Sequence, residues 1–243
     1  TLKASEIALN GENFARKSYS AMAKDLRYSG INVDFAPVVD LAINKDNKVI
    51  VTRGRSFGES SKEVIKYSSI FVEELKKQNI ISVLKHFPGH GSSLADSHLG
   101  FVDITDTWNQ KELEPYRYFI ANNSVDMIMI AHVFNQNLDK NYPATLSYNI
   151  NTNLLRNKLG FDGVIVSDDL QMSAISKHYD LKQTLTLAIN SGVNMLLFAN
   201  QLSKPVSLKE IVDTVYKQVL NNQISIEQII KSNQRIDRMM SKY

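Results

Sequence analysis

Residues 80–100 read IISVLKHFPGHGSSLADSHLG. An apolar run, residues 80–84, is followed by a stretch holding three of the chain's five histidines, with Lys85 and Asp96, broken by Pro88, Gly89 and Gly91. A buried strand opening into a Pro/Gly-broken loop of titratable side chains is how an active site is built at a strand's C-terminal end. Chemistry is expected in this loop.

The same unit recurs on either side. A helix is expected over residues 11–28, with Phe14, Met22 and Leu26 among its apolar positions, then a strand over 31–36 followed by Pro37 and Val38-Val39-Asp40. Ser60 with Glu63 three residues on is a capping-box signal, and the helix after it places Val64, Ser68, Phe71 and Leu75 on one face. A helix over 111–122 follows the His-rich loop. Further strands are expected over 127–130, 163–166 and 193–198, and helices over 208–221 and 225–240 close the chain.

Continuous apolar strands alternating with amphipathic helices predict a parallel sheet covered on both faces. Each strand has its polar residues at its C-terminal end: Asp40, Lys85-His86, His132, Asp168-Asp169 and Asn200. That polarity predicts an α/β fold of the (β/α)8 TIM-barrel class. A doubly wound sheet also binds ligands at strand ends, but it more often carries a Gly-rich phosphate loop after its first strand, and none is found. No linker or repeat divides the chain, so residues 1–243 are read as one catalytic domain.

Composition removes several classes. The 243 residues are 43% hydrophobic and 22% charged with a net charge of +3, a balance that argues against nucleic-acid binding as the main role. With no cysteine, disulfides, thiolate catalysis and Cys-based zinc sites are excluded, and no cofactor is expected. No apolar stretch approaches the ~20 residues that span a bilayer. The cytoplasm is the expected compartment, with a secreted or lipid-anchored form left open by a chain that starts at Thr1.

Each candidate residue has a plain alternative. Asp96 and His98 could form an oriented acid–base pair near neutral pH, or an Asx-turn beside an exposed imidazole. His86 and His90, four apart, would suit a divalent metal on a helix, yet Pro88-Gly89 between them disfavours that helix. Asp168-Asp169 follow a strand whose alternation sends their side chains to opposite faces; they supply one functional carboxylate, or both cap the next turn. Arg55 is a loop arginine between glycines. Lys85 ends an apolar strand and implies a carboxylate or polar ligand nearby. His132 could be a satisfied buried histidine, Trp108 and the tyrosines read as packing, and His178 as surface.

Taken together, DFAPVVDL (34–41), GRSFGES (54–60), KHFPGHG with DSH (85–98) and GVIVSDDLQM (163–172) resemble bacterial β-N-acetylglucosaminidases of glycoside hydrolase family 3. The resemblance implies a retaining hydrolase on a (β/α)8 barrel without metal, releasing terminal β-linked N-acetylglucosamine from cell-wall (muropeptide) or chitin-type oligosaccharides. It implies Asp168 as nucleophile, His98 as general acid/base partnered by Asp96, and Arg55, Lys85 and His86 as sugar-binding residues. Lys85 and His86 are neighbours that a regular strand cannot both aim inward, so a bulge or distorted backbone is expected there. A metal-dependent barrel hydrolase using His86 and His90, and a non-catalytic N-acetylglucosamine-binding protein, are the alternatives. The family's DQEGGR stretch is absent and only five strands are found. The other three are expected upstream of Thr1, in the same protein or in a partner chain that completes the barrel.

Overall fold

A computed structural model describes residues 2–94, 102–201 and 204–243. The helices are α1 (Ala4–Leu9), α2 (Glu12–Tyr28), α3 (Ser61–Lys76), α4 (Glu114–Ala121), α5 (Ser173–Ser176), α6 (Leu181–Ser191), α7 (Leu208–Leu220) and α8 (Ile226–Met240). The strands are β1 (Val33–Asp34), β2 (Ile81–Phe87), β3 (Val102–Asp103), β4 (Met127–Ile130), β5 (Val133–Phe134) and β6 (Val164–Ser167). The described residues pack as two compact units, residues 2–94 with 106–129 and 243, and residues 102–105 with 130–201 and 204–242. No described helix is long and apolar enough to cross a membrane.

In the first unit β1 and β2 pair in parallel, Val33 opposite Ile81 and Asp34 opposite Ser82, and β4 is the next neighbour of β2. β2 is buried at every position except the half-buried Lys85, which is why its sequence shows no polar alternation. α3 covers the sheet with Val64, Ser68, Phe71 and Leu75, all buried, and the Ser60 hydroxyl accepts its Glu63 amide at 3.2 Å. α2 buries Ala15, Tyr19 and Ala23, a face one residue round from the expected one; Phe14 is exposed. Tyr19 meets the Phe71 ring edge-on at 4.9 Å, so the small alanines let the two helices approach.

The second unit is also parallel. β3 pairs with β5, Val102 opposite Val133 and Asp103 opposite Phe134. The Asp168 amide donates to the Ile130 carbonyl at 3.1 Å, tying the end of β6 to Ile130 within this unit. A π-helical stretch, Asn149–Lys158, and α6, both absent from the sequence reading, pack here. Buried beneath them is a cluster of Leu146, Ile175 and Ala188.

Three elements differ from expectation. The strand expected over 31–36 is regular only at Val33–Asp34, before the cis Ala36–Pro37 peptide. The helix expected over 111–122 is a 3-10 turn, Gln110–Leu113, running into α4, with Pro115 in the first turn of α4. The strand expected over 193–198 is reduced to one bridge, Val166 opposite Met195. There the Asn194 side chain takes the Ile165 amide at 2.9 Å and the Ser167 hydroxyl takes the Leu197 amide at 2.9 Å. Side chains replace backbone ladder bonds, so the ladder stops. Parallel strands covered by helices are the architecture of both units.

Candidate active site

In the first unit the site grows from the end of β2. The Lys85–His86 and Phe87–Pro88 peptides are cis, and the Val39 amide donates to the Lys85 carbonyl at 2.8 Å. The backbone thus departs from regular strand geometry at the Lys85-His86 pair. Lys85 acts on Asp34, whose carboxyl burial pushes up while the Lys85 ammonium pulls it back.

His86 is buried and held from both sides. Its Nδ1 lies 2.7 Å from Asp40 Oδ2, and its Nε2 lies 3.3 Å from Arg55 Nη2. Asp40 Oδ1 accepts from the His86 amide at 3.2 Å and the His90 amide at 2.8 Å. Burial by itself would raise the Asp40 pKa; the His86 imidazole and the donors from His90 outweigh it and hold the carboxyl below the usual range. Arg55 also donates through Nη1 to the Val49 carbonyl at 3.2 Å.

The loop beyond β2 is fastened by side chains, because its turns leave backbone groups with no ladder partner. Asn47 Nδ2 donates to the carbonyls of His90 (2.8 Å) and Gly91 (3.2 Å) and to Ser93 Oγ (3.1 Å). Its Oδ1 accepts the amides of Val49 at 3.0 Å and Ile50 at 2.8 Å. Glu112 accepts the Gly91 amide at 2.8 Å and the Ser92 hydroxyl at 2.6 Å. The glycines are sterically required: a Cβ at Gly91 would lie 1.8 Å from the Leu41 carbonyl oxygen, and one at Gly89 (φ +124°) 2.5 Å from Glu112 Cβ.

Burial drives His90 down to about 4 and Glu112 up to about 7. Burial, with the charges of Asp40 and Glu112 adding to it, also lifts the Tyr116 hydroxyl well above its ordinary value. The Nδ1 of His90 is 2.8 Å from Ser93 Oγ. Among the described residues no group of three or more His, Asp or Glu could hold a metal ion. For the metal-dependent alternative, the Nδ1 of both His86 and His90 already has a protein partner.

In the second unit the site grows from residues 130–132 and the end of β6. Asp168 is half-buried, and its Oδ1 accepts the Asp169 amide at 2.8 Å. Asp169 is buried; its Oδ1 accepts the amides of Gln171 (3.1 Å) and Ala199 (3.2 Å). Asp169 is therefore the capping carboxylate of the pair, and Asp168 the one with exposed surface. His132 is a satisfied buried histidine, with Nδ1 2.7 Å from Thr145 Oγ1 and Nε2 2.9 Å from the Asp169 carbonyl. Asn200 also serves structure: its side chain accepts the Val206 amide at 3.0 Å and donates to the Val206 carbonyl at 3.2 Å.

The structure therefore brings Arg55 to His86 and places Lys85 beside Asp34, all in the first unit, and sets Asp168 at the end of β6 in the second. Asp96 and His98 lie outside the described residues. Sequence reasoning passed over Asp40 as an orienting group, and Asn47, Glu112 and Thr145 altogether. The only signal for Asp40 was its place after Val38-Val39 as one polar strand end among several.

The model of the glycosyl hydrolase family 3 N-terminal domain matches residues 4–239. Beta-hexosaminidase A of Pseudoalteromonas piscicida is 34% identical over 249 residues, covering 96% of this chain and 41% of the relative. The beta-hexosaminidase of Tolumonas auensis is 36% identical over 190 residues, covering 77% and 55%. The chain thus spans about half the length of these curated relatives. Among solved structures, a glycoside hydrolase family 3 beta-N-acetylglucosaminidase from Paenibacillus sp. superposes with a TM-score of 0.87 at 32% identity, covering 98% of this chain and 45% of that one. The beta-N-acetylglucosaminidase from Thermotoga maritima superposes with a TM-score of 0.84 at 26% identity, covering 98% and 50%.

Proposed function

The chain belongs to glycoside hydrolase family 3, and from that premise we propose that it carries out retaining exo-hydrolysis of terminal β-linked N-acetylglucosamine. The relatives named above are beta-hexosaminidases and beta-N-acetylglucosaminidases, which supports the sugar class. Cell-wall muropeptides are the preferred substrates, with chitin-type oligosaccharides second. The strands belong to a (β/α)8 barrel.

Asp168 attacks the anomeric carbon while His98 gives its proton to the leaving oxygen, so the glycosidic bond breaks as the aspartyl–sugar ester forms. In the second step His98 takes a proton from water, whose oxygen displaces the ester. The sugar leaves with retained configuration, and Asp168 and His98 return to their starting states. Asp96 orients His98. Arg55, Lys85 and His86 hold the N-acetylglucosamine unit; Arg55 and Lys85 supply the positive charge and donors that its hydroxyls and acetamide carbonyl can accept from, and His86 seats Arg55.

The observation that carries the nucleophile assignment is the contrast within the aspartate pair. Asp169 is buried and serves two amides, whereas Asp168 is only half-buried. Release of nitrophenol from the aryl β-N-acetylglucosaminide by the intact protein, with and without chelator, tests the activity. Trapping with a fluorinated sugar should leave the adduct on Asp168. An adduct on Asp169, an inverted product or loss of activity with chelator would each overturn the mechanism.

A further inference from the structure

We propose that Asp40 is a positioning residue: it sets the tautomer of His86 and, through that ring, the seat of Arg55. A carboxylate offers only acceptors, so His86 Nδ1, 2.7 Å from Asp40 Oδ2, carries a hydrogen. A guanidinium offers only donors, so His86 Nε2, 3.3 Å from Arg55 Nη2, presents its lone pair. Both neighbours demand the same ring: neutral, with its hydrogen on Nδ1. The side chains of Asp40 and His86 are 0% and 7% exposed, so water does not substitute for either partner.

The carboxylate itself cannot turn. Its Oδ1 is fixed by the amides of His86 and His90, leaving only Oδ2 for the ring. Hydrogen bonding therefore runs in one direction, from Arg55 to His86 to Asp40. Arg55 is held at a second point by the Val49 carbonyl, whose own amide is tied to Asn47. The guanidinium is thereby preorganised, with its remaining donors left for an acceptor-rich ligand. In this arrangement His86 is neither a proton donor nor a metal ligand, because its one lone pair belongs to Arg55. The kinetic consequence rests on the reading that Arg55 and His86 hold the sugar; the tautomer does not.

The test begins on the unaltered, intact protein labelled with 15N-histidine, with His86 assigned by loss of its signals in His86→Gln. The expected spectrum shows a protonated Nδ1 and a lone-pair Nε2 at neutral pH. An imidazolium or an Nε2–H tautomer overturns the proposal. Asp40→Asn then reverses the relay. The two amides retain the carboxamide oxygen, so its NH2 faces Nδ1, and the ring must move its hydrogen to Nε2, against the Arg55 donors. The tautomer signature should invert. KM for the aryl β-N-acetylglucosaminide should rise roughly tenfold to a hundredfold, the range for losing one hydrogen bond to a charged group. In an Arg55→Met background the same change should raise KM little further. An unchanged tautomer in folded Asp40→Asn, or an equal KM loss in both backgrounds, overturns the relay. If Asp40→Asn does not fold, the spectrum of the unaltered protein still decides. The expected tautomer in a protein that cleaves no N-acetylglucosaminide would leave the relay standing and overturn the sugar reading.

Discussion

The Nε2 of His132 lies 2.9 Å from the backbone carbonyl oxygen of Asp169. A carbonyl only accepts, so the ring donates there, while Nδ1 meets a Thr145 hydroxyl that is itself 2.8 Å from the Ala131 carbonyl. One imidazole thus braces the Asp169–Leu170 peptide, one residue beyond the proposed nucleophile. His132→Ala removes one of two donors to the Asp169 carbonyl, which keeps the Met172 amide at 2.9 Å, and should cost about 0.5–1.5 kcal/mol of stability. Because Asp168 is adjacent, kcat should fall more than KM rises. Urea unfolding with Michaelis kinetics checks both, and a destabilised variant with unaltered kcat would confine His132 to the fold.

The two aspartates should separate in the same assays. Asp168→Ala should abolish turnover while leaving a folded protein, because it removes the proposed nucleophile from a half-buried position. Asp169→Ala strands the amides of Gln171 and Ala199 and should lose about 1–3 kcal/mol or more. A stable, inactive Asp169 variant beside an active Asp168 variant would reverse the assignment.

Glu112 makes stability depend on pH. Burial raises its pKa from 4.5 to about 7, against a lowering by Ser92. For a carboxyl raised on folding, the unfolded chain ionises first. The Glu112 contribution is therefore fully present below about pH 4.5 and lost as pH rises through about 7. Glu112→Gln can still accept from Gly91 and donate to Ser92, without the buried charge. Relative to the parent it should gain on the order of 3 kcal/mol between pH 4 and pH 8. Urea midpoints across that range check it; a pH-independent difference would refute the buried ionisation.

Gly91→Ala should be among the most damaging single-methyl changes in the chain. The added Cβ would sit 1.8 Å from the Leu41 carbonyl oxygen, a backbone atom that no rotamer change can remove. Gly30→Ala is the control: its φ is +77° but nothing lies within 4 Å, so only the left-handed penalty of about 1–2 kcal/mol applies. Thermal midpoints of the two variants should differ widely, and equal losses would remove the steric account.

What was legible in the sequence was local. The Ser60 cap and the Val64–Ser68–Phe71–Leu75 face depend on spacings within one helix, and both are present. The His-rich loop announced itself because its histidines, glycines and proline are contiguous. The strand over 193–198 was misread because an apolar run cannot show that Asn194 and Ser167 side chains intercept the ladder. Asp40 stands 46 residues from His86, and no local pattern separates it from other strand-end acids. Glu112 reads as one more acid in a polar turn until its burial is seen.

Asn47 has one further consequence. It sits in a stretch, residues 44–58, with neither helix nor strand, yet its carboxamide is wholly buried and engages the amides of Val49 and Ile50. In deuterium exchange those two amides should be protected like the interior of a helix, opening only when the His90–Ser93 loop lets go of the same carboxamide. By exchange rate, this irregular segment would count as part of the molecule's slow core.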